Sequence, residues 1–256
     1  MAFPQWFPPL VRRASDWVDL QLSLLVEDLR RVAPLAHGKL LDVGCGDKPF
    51  EEIFLPFVSE YVGVEHEASF GLTDASQRGK GPDVVYDGYT LPFEDGSFDT
   101  VLNVQVLEHT PHPQRLIDEM ARVMRSGGTL IMTAPFSFRL HEQPHDYFRY
   151  TPYGLRSMVE KAGLEFVEVS AHGGLFSVMA HKINVFLAFR IARVTSVAQQ
   201  IGKHSHEGST RESPRYWTFP VVGPSLVALT AGARLLDRWA PDPTEALSHL
   251  ILARKA

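Results

Sequence analysis

Cysteine is nearly absent from this sequence, with Cys45 the only one among 256 residues. One cysteine forms no internal disulfide, so nothing here requires an oxidising compartment. Basic residues are not in excess either, because the formal net charge is −5. This balance argues against a nucleic-acid partner, whose binding surface needs clustered lysine and arginine.

Long apolar runs are also missing. No run of about 18 apolar residues without charges occurs, so no membrane-spanning helix is expected. The opening residues, MAFPQWFPPLVRR, place the basic pair after the apolar stretch, which is the reverse of a secretory signal. The sequence therefore predicts a cytoplasmic protein, with peripheral attachment to the inner face of the membrane as an alternative.

Short apolar runs alternate with helical patterns along most of the chain. Strands are predicted at Lys39–Val43, Tyr61–Glu65, Asp83–Tyr86, Phe98–Val104, Thr129–Thr133, Leu164–Val169 and Ser248–Ala253. Helices are predicted at Asp16–Val32, from about Pro49, at Pro113–Met124 and at Pro152–Ala162. This alternation predicts an α/β fold with a doubly wound, mostly parallel seven-stranded sheet.

One stretch departs from the alternation and contains two apolar helical segments, about Leu175–Val194 and Val221–Trp239. We therefore predict an N-terminal arm and helix, a main α/β domain, a helical insertion with a mobile loop, and a last strand that returns to the domain. Their bounds are 1–37, 38–172, 173–246 with the loop at 203–216, and 247–256. Two interpretations of the insertion stay open: it packs on the domain or on a second copy, or it forms a lid or a lipid-contacting surface.

The run LLDVGCGDKPF, from Leu40 to Phe50, follows a buried strand and precedes a helix. Gly44 and Gly46 have no Cβ, so a ligand can approach the backbone closely and the chain can take positive φ. Asp47 is a candidate cap for the helix. Glu65 follows Gly46 at the end of the second strand, where an acid accepts hydrogen bonds from ribose hydroxyls in dinucleotide folds. Together these features indicate an adenosine ligand.

The same turn narrows the choice of adenosine ligand. The dinucleotide pattern G-x-G-x-x-G requires a third glycine at position 49, and the residue there is Pro49. The phosphate-binding loop that ends in G-K-[ST] is absent as well. NAD, FAD and ATP are thus disfavoured, and an adenosine without phosphates is favoured.

Four segments taken together resemble the successive motifs of class I S-adenosylmethionine (SAM)-dependent methyltransferases with a type 11-like domain. They are DVGCGDKPF, YVGVEHE, YDGYTLPFEDGSFDTVLNVQVLEHTPHP and RVMRSGGTLIMTAP. The likeness covers roughly residues 38 to 170 and departs from the fullest family pattern at Lys48, where a third glycine is frequent. It implies a Rossmann-like methyltransferase fold with SAM as the cofactor.

The resemblance also implies roles for individual residues. The amino-acid end of SAM is expected near the glycine turn, the ribose at the second strand, the adenine after the third strand and the methyl side after the fourth. The predicted cofactor-binding residues are, in that order, Asp42, Gly44, Cys45 and Gly46; Glu65; Asp87 and Gly88; Asn103 and Gln105. Cys45 is expected to be a small buried residue of the turn and not a nucleophile.

Histidines after the fourth and fifth strands are the candidates for a general base, because histidine titrates near neutral pH. His145 is preferred and His109 is the second candidate. Tyr147 and Arg149 either orient an acceptor or lock the loop. The run HEQPH, from His141 to His145, matches a zinc-protease pattern that works only on a helix, and Pro144 opposes a helix there. No metal site is therefore predicted.

The acceptor side of the reaction is less defined. HEQPHDYFRYTPYGLRSMVEKAGLEFVEVSAHGG resembles bacterial methyltransferases associated with polysaccharide, envelope or secondary-metabolite pathways. This likeness implies a small-molecule or glycan acceptor, methylated on oxygen. Two alternatives stay open: a lipid or quinone methyltransferase at a membrane surface, and a catalytically silent SAM-fold binding protein. A homodimer is a further possibility, and no nucleic-acid partner is expected.

Overall fold

The computed structural model describes residues 16–67, 81–192, 216–242 and 244–256. Residues 1–15 of the predicted N-terminal arm and helix and residues 203–215 of the predicted loop lie outside these ranges. The strands are β1 Lys39–Val43, β2 Glu60–His66, β3 Val84–Tyr86, β4 Phe98–Val104, β5 Met124–Pro135, β6 Leu164–Ala171 and β7 Ser248–Lys255. The α-helices are α1 Leu20–Val32, α2 Glu51–Phe54, α3 Pro113–Val123, α4 Pro152–Lys161, α5 Leu175–Phe186 and α6 Phe219–Trp239.

The seven strands form one sheet in the order β3-β2-β1-β4-β5-β7-β6. β1 pairs in parallel with β2 and β4, β2 with β3, and β4 with β5. The chain runs outward from β1 to β3 and then returns to place β4 on the other side of β1. Open sheets of this kind bind ligands at the carboxyl ends of the strands beside this switch point. The predicted doubly wound α/β fold is confirmed.

Burial on both faces explains why the central strands form where the sequence predicts them. Residues 40–43 of β1 are all buried, and β4 is buried at every position except Asp99. Both strands have the predicted bounds, because a continuous apolar run ended by glycine or a polar residue fits only the middle of a covered sheet. α3 covers one face with Leu116, Ile117, Met120 and Val123, which lie on its buried side at helical spacing.

The helix after the glycine turn is shorter than predicted. α2 is a single turn, Glu51–Phe54, and its N-cap is Phe50, without a side-chain hydrogen bond. The predicted cap at Asp47 is therefore wrong. Lys48 takes a φ of 54°, so the chain makes an additional left-handed turn before the helix begins.

The structure divides into two compact units, and the boundary falls within α1, β6 and β7. The sheet unit comprises the described residues of 28–140, 144–170 and 249–256, and the helical unit comprises 16–27, 141–143 and 171–248. In the helical unit, Leu20 of α1 is buried in one cluster with Val178 of α5 and Ala233 of α6. The N-terminal helix thus shares a core with the insertion, whereas the predicted division separated 1–37 from 173–246.

Asp237 of α6 fixes the start of α5. Its Oδ2 accepts hydrogen bonds from the backbone N–H groups of Gly174 and Ser177, each at 3.0 Å, and its Oδ1 accepts one from Phe176 at 3.0 Å. These N–H groups belong to the first turn of α5, where no intrahelical acceptor exists. A carboxylate some 60 positions along the chain therefore caps the helix.

None of the helices in the described part of the chain has the length and apolar character that a membrane-spanning segment needs.

We expect Asp237→Ala to lower the free energy of unfolding by about 1–3 kcal/mol, since three N–H groups lose a charged acceptor. Urea denaturation followed by circular dichroism measures the change. The neighbouring exposed residue provides the control, as Arg238→Ala should leave the midpoint within experimental error. Equal midpoints for the two variants would contradict the capping role.

Candidate cofactor and active site

The glycine turn lies at the carboxyl end of β1, beside the switch point. Gly44 has a φ of 76°, and a Cβ there would lie 2.4 Å from Cγ2 of Val106. Only glycine fits this position, because Val106 follows β4 and closes against the turn. Gly46 has a φ of 50°, yet nothing lies within 4 Å of a Cβ built on it. The turn is thus packed on one side and open on the other, as a cofactor-binding backbone requires.

Glu65 connects the end of β2 to this turn. Its side chain accepts a hydrogen bond from Gly46 N–H at 2.8 Å through Oε2 and one from His66 N–H at 2.9 Å through Oε1. The residue is 8% exposed. A carboxylate offers about four acceptor positions, and these two bonds hold the Glu65 carboxylate against the glycine turn and the end of its own strand. The predicted ribose-binding acid and the glycine turn are in direct contact.

Asp42 is the most deeply placed acid of the predicted set, at 2% exposed. The hydroxyl of Tyr61 donates to its Oδ2 at 2.6 Å. Burial raises the pKa of Asp42 to about 7; the Tyr61 hydrogen bond opposes this rise, and the charge of Glu65 adds to it. Tyr61 was not among the residues predicted from the sequence, although the pairing of β1 with β2 places it on the strand next to Asp42.

Cys45 is buried against Gly63 of β2, where a Cβ would lie 2.6 Å from the Cys45 sulfur. Burial raises the pKa of the thiol well above its usual range, so the thiolate form needed for nucleophilic attack is disfavoured. Lys48 also lies over Gly63 and pairs with Asp83 at 2.5 Å. Lys48 and Asp83 were absent from the predicted set, yet their ion pair holds the left-handed turn to the second strand.

Asp87 and Gly88 follow the end of β3. Oδ1 of Asp87 accepts hydrogen bonds from the N–H groups of Tyr89 at 2.8 Å and Thr90 at 3.1 Å, and these bonds lower the pKa of Asp87. Gly88 has a φ of 81°, and a Cβ there would come within 2.3 Å of the His66 ring. His66, which was not among the predicted residues, therefore directly follows Glu65 and lies against Gly88.

Asn103 and Gln105 occupy different environments at the end of β4. Asn103 is fully buried and donates from Nδ2 to the carbonyl of Val43 at 3.0 Å. Its Oδ1 is buried and accepts no hydrogen bond from the residues that the structure describes. Gln105 has a φ of 56° and binds Thr133 of β5 through both its backbone N–H and its Nε2. Left-handed backbone in a residue with a side chain is strained, and such strain concentrates at functional sites.

The two candidate histidines share one hydrogen bond. Nδ1 of His109 lies 2.7 Å from the backbone carbonyl of His145. A carbonyl only accepts, so Nδ1 carries the proton and the neutral ring has its lone pair on Nε2. The Nε2 atom lies 3.7 Å from Oε1 of Glu108, whose side chain is fully buried. The His145 ring is exposed and contacts the Tyr147 hydroxyl at 3.1 Å.

Arg149 locks the loop that carries His145. Its guanidinium pairs with both carboxylate oxygens of Asp146, at 2.6 and 2.8 Å, and the pKa of Arg149 rises because of this pair. The remaining hydrogen bonds go to the carbonyls of Phe138, Arg139 and Phe148. Of the two predicted roles for Arg149, loop locking is the one that these contacts support. Residues 141–145 form turns and no helix, so the zinc-protease geometry is absent.

Comparison with known proteins identifies the family of the domain. Residues 41–132 match the family model described as a methyltransferase domain. An uncharacterised methyltransferase of Mycobacterium sp. (strain JLS) is 35% identical over 149 residues, which cover 53% of this chain and 58% of that protein. Residues 41–132 therefore belong to a class I SAM-dependent methyltransferase domain. Its predicted cofactor, SAM, is confirmed by this membership.

Two solved structures show the same fold at low identity. A SAM-dependent methyltransferase from Thermotoga maritima, described as a possible histamine N-methyltransferase, has a TM-score of 0.53 and 16% identity. The match covers 97% of this chain and 96% of that one. The cyclase SpnF has a TM-score of 0.54 and 21% identity, over 92% of this chain and 82% of that one. The chain spans just over half the length of the first mycobacterial relatives.

We expect Glu65→Ala to weaken SAM binding by about tenfold or more, because the variant loses acceptors for ribose hydroxyls and the tie to Gly46. Isothermal titration with SAM gives the dissociation constant. Glu67→Ala, an exposed acid two positions along, is the matched control and should bind as the unchanged protein does. Equal affinity of Glu65→Ala with a preserved fold would remove Glu65 from the ribose site.

We also expect Asp42 to make the free protein less stable as pH rises from about 4 to 7. Its folded pKa of about 7 exceeds the ordinary value of 3.8, so the folded state holds the proton more tightly across that range. Asp42→Asn, which imitates the protonated acid, should match the unchanged protein near pH 4. Near pH 7 it should be more stable by up to about 4 kcal/mol. Parallel pH profiles in urea denaturation would contradict the raised pKa.

Proposed function

We propose that the protein transfers the methyl group of SAM to a hydroxyl oxygen of a small molecule or glycan, in the cytoplasm. SAM, when bound, supplies a methyl group activated by the sulfonium. The cofactor part of the proposal is supported by the fit of the residues: an open glycine turn, a Glu65 carboxylate that this turn orients, and the buried Oδ1 of Asn103 at the predicted methyl side. The net charge of −5 argues against a nucleic acid as the acceptor.

The single observation that carries the acceptor chemistry is the orientation of His109. A hydroxyl acceptor needs a group that takes its proton as the new bond to carbon forms. The His145 carbonyl keeps the proton of His109 on Nδ1, so Nε2 is the basic atom. Protonation there creates an imidazolium 3.7 Å from the carboxylate of Glu108, and this carboxylate stabilises the charge. His109 is therefore the better candidate base, although the sequence alone favoured His145.

His145 then has a positioning role. Its backbone carbonyl sets the tautomer of His109, while its exposed ring contacts Tyr147. The N–H group of Tyr147 donates to the Glu108 carbonyl at 2.9 Å, so the loop holds both ends of the Glu108–His109 pair. Arg149 and Asp146 keep that loop in place. Nε2 of His109 is thus the proposed proton acceptor, and the loop around His145 holds the His109 ring in position.

We expect His109→Asn to lower kcat for a hydroxyl acceptor by about 100-fold to 10,000-fold, because the variant keeps a donor for the His145 carbonyl and loses the base. Transfer of labelled methyl from SAM to a panel of sugars, phenols and hydroxylated lipids measures the activity. The dissociation constant for SAM should not change, and His112→Asn, an exposed neighbour, is the control. A larger loss of kcat in His145→Asn than in His109→Asn would instead identify His145 as the general base.

A catalytically silent SAM-fold protein is the alternative from another class. The cyclase SpnF shares the fold at 21% identity, which shows that the fold does not fix the reaction. The oriented His109 and the strained Gln105 favour an enzyme, since a silent protein needs neither. Turnover with any member of the acceptor panel decides between the two, and binding of SAM without turnover across the panel would favour the silent protein.

A further inference from the structure

The outward faces of α5 and α6 in the helical unit are apolar. On α5, Leu175, Met179, Ile183 and Phe186 are exposed at helical spacing. On α6 the face is longer. Its exposed apolar residues are Pro220, Val221, Pro224, Val227, Ala228, Ala231, Leu235, Leu236 and Trp239. Val221, Leu235 and Trp239 are 71%, 67% and 81% exposed, so these side chains are not part of the core.

The sheet unit of the same chain provides a comparison. α3 buries Leu116, Ile117 and Met120 and exposes Arg115 and Asp118. That is the usual pattern of a helix with one side in water. On α6 the exposed face has one charge, Arg238. Solvent alone does not account for such a face, because continuous exposed apolar surface marks contact sites.

The charges on these two helices have one sign. α5, the π-helical turn Leu187–Ile191 and α6 contain four cations and a single acid, Asp237. The carboxylate of Asp237 is occupied by the N–H groups that begin α5. Arg234 is paired with Glu27, whereas Lys182, Arg190 and Arg238 are exposed. The surface therefore combines apolar side chains with positive charge, in a chain whose net charge is −5.

Two tryptophans mark opposite ends of α6. Trp217, just before the helix, is 78% exposed, and Trp239 is its last residue. Tryptophan prefers the boundary between lipid headgroups and acyl chains, where its ring is partly apolar and its N–H is hydrated. Exposed tryptophans at both ends fit a helix that lies in the plane of such a boundary.

We propose that the helical unit binds the surface of an anionic lipid bilayer, with the outward faces of α5 and α6 at the headgroup–acyl boundary. Lys182, Arg190 and Arg238 contact the headgroup phosphates. The proposal concerns where the protein works, goes beyond methyl transfer, and rests on no residue of the cofactor site.

A second copy of the chain fits this surface less well. In a two-fold dimer the same patch faces itself, so the exposed cations of α5 and α6 would meet one another without acids between them. Like charges in a contact cost free energy. An anionic bilayer supplies both the apolar depth and the negative charge that the surface lacks.

Co-sedimentation of the full chain with vesicles tests the proposal. We expect binding to equimolar phosphatidylcholine and phosphatidylglycerol, and weaker binding to phosphatidylcholine alone. Leu235→Glu should reduce the affinity for the mixed vesicles about tenfold or more. Arg238→Gln should reduce it about fivefold and leave binding to neutral vesicles unchanged. Leu35→Glu, an exposed leucine of the sheet unit, is the matched control and should bind as the unchanged protein does.

Further controls keep the outcomes distinct. Trp239→Ala tests the same face with an 81% exposed side chain, so the proposal remains testable if Leu235→Glu does not fold. Glu65→Ala should bind vesicles normally, which separates this proposal from the proposed methyl transfer. Absence of vesicle binding by protein that binds SAM would overturn the proposal. A second result would also overturn it: light scattering shows a dimer that Leu235→Glu dissociates, and none of these variants alters vesicle binding.

Discussion

The hydrogen bond from Gly46 N–H to the carboxylate of Glu65 organises the cofactor end of the sheet. A buried carboxylate is costly unless hydrogen-bond donors surround it, and this one obtains donors from the glycine turn and from its own strand end. The bond joins two neighbouring parallel strands at the point where both end. It therefore fixes the turn against β2 before any ligand is present.

The other features of the site follow from placing acids close together in a buried setting. Asp42 lies on β1, which pairs with the strand of Glu65, and its raised pKa reflects its burial first and that neighbouring charge second. The hydroxyl of Tyr61 supplies a side-chain donor that keeps Asp42 oriented. A positively charged ligand relieves this concentration of acids, because opposite charge favours the ionised carboxylate. SAM, with its sulfonium and ammonium groups, is a ligand of that kind.

The sequence predicted the central strands and the order of the motifs because both depend on local patterns. β1 and β4 are short apolar runs with clear ends, and the glycine turn follows β1 directly. The length of α2 was not predictable in the same way: Lys48 takes a left-handed conformation that its residue type does not indicate, and it is held there by Asp83 in a distant part of the chain.

Contacts between distant residues explain the remaining differences. Asp237 caps a helix about 60 positions away, and Leu20 shares a core with Val178 and Ala233. No local pattern records such pairs, so the N-terminal helix was assigned to the arm and not to the helical unit. The proposed preference for His109 over His145 also depends on a distant contact, the hydrogen bond from His109 to the His145 carbonyl.

Calorimetric titration of the purified chain with SAM and with its demethylated product tests the cofactor site most directly. We predict saturable binding of both ligands at one site per chain, because both contain the ribose and the amino-acid portion that the glycine turn and Glu65 are arranged to hold. Absence of binding to either ligand by well-folded protein would contradict the assignment of this site.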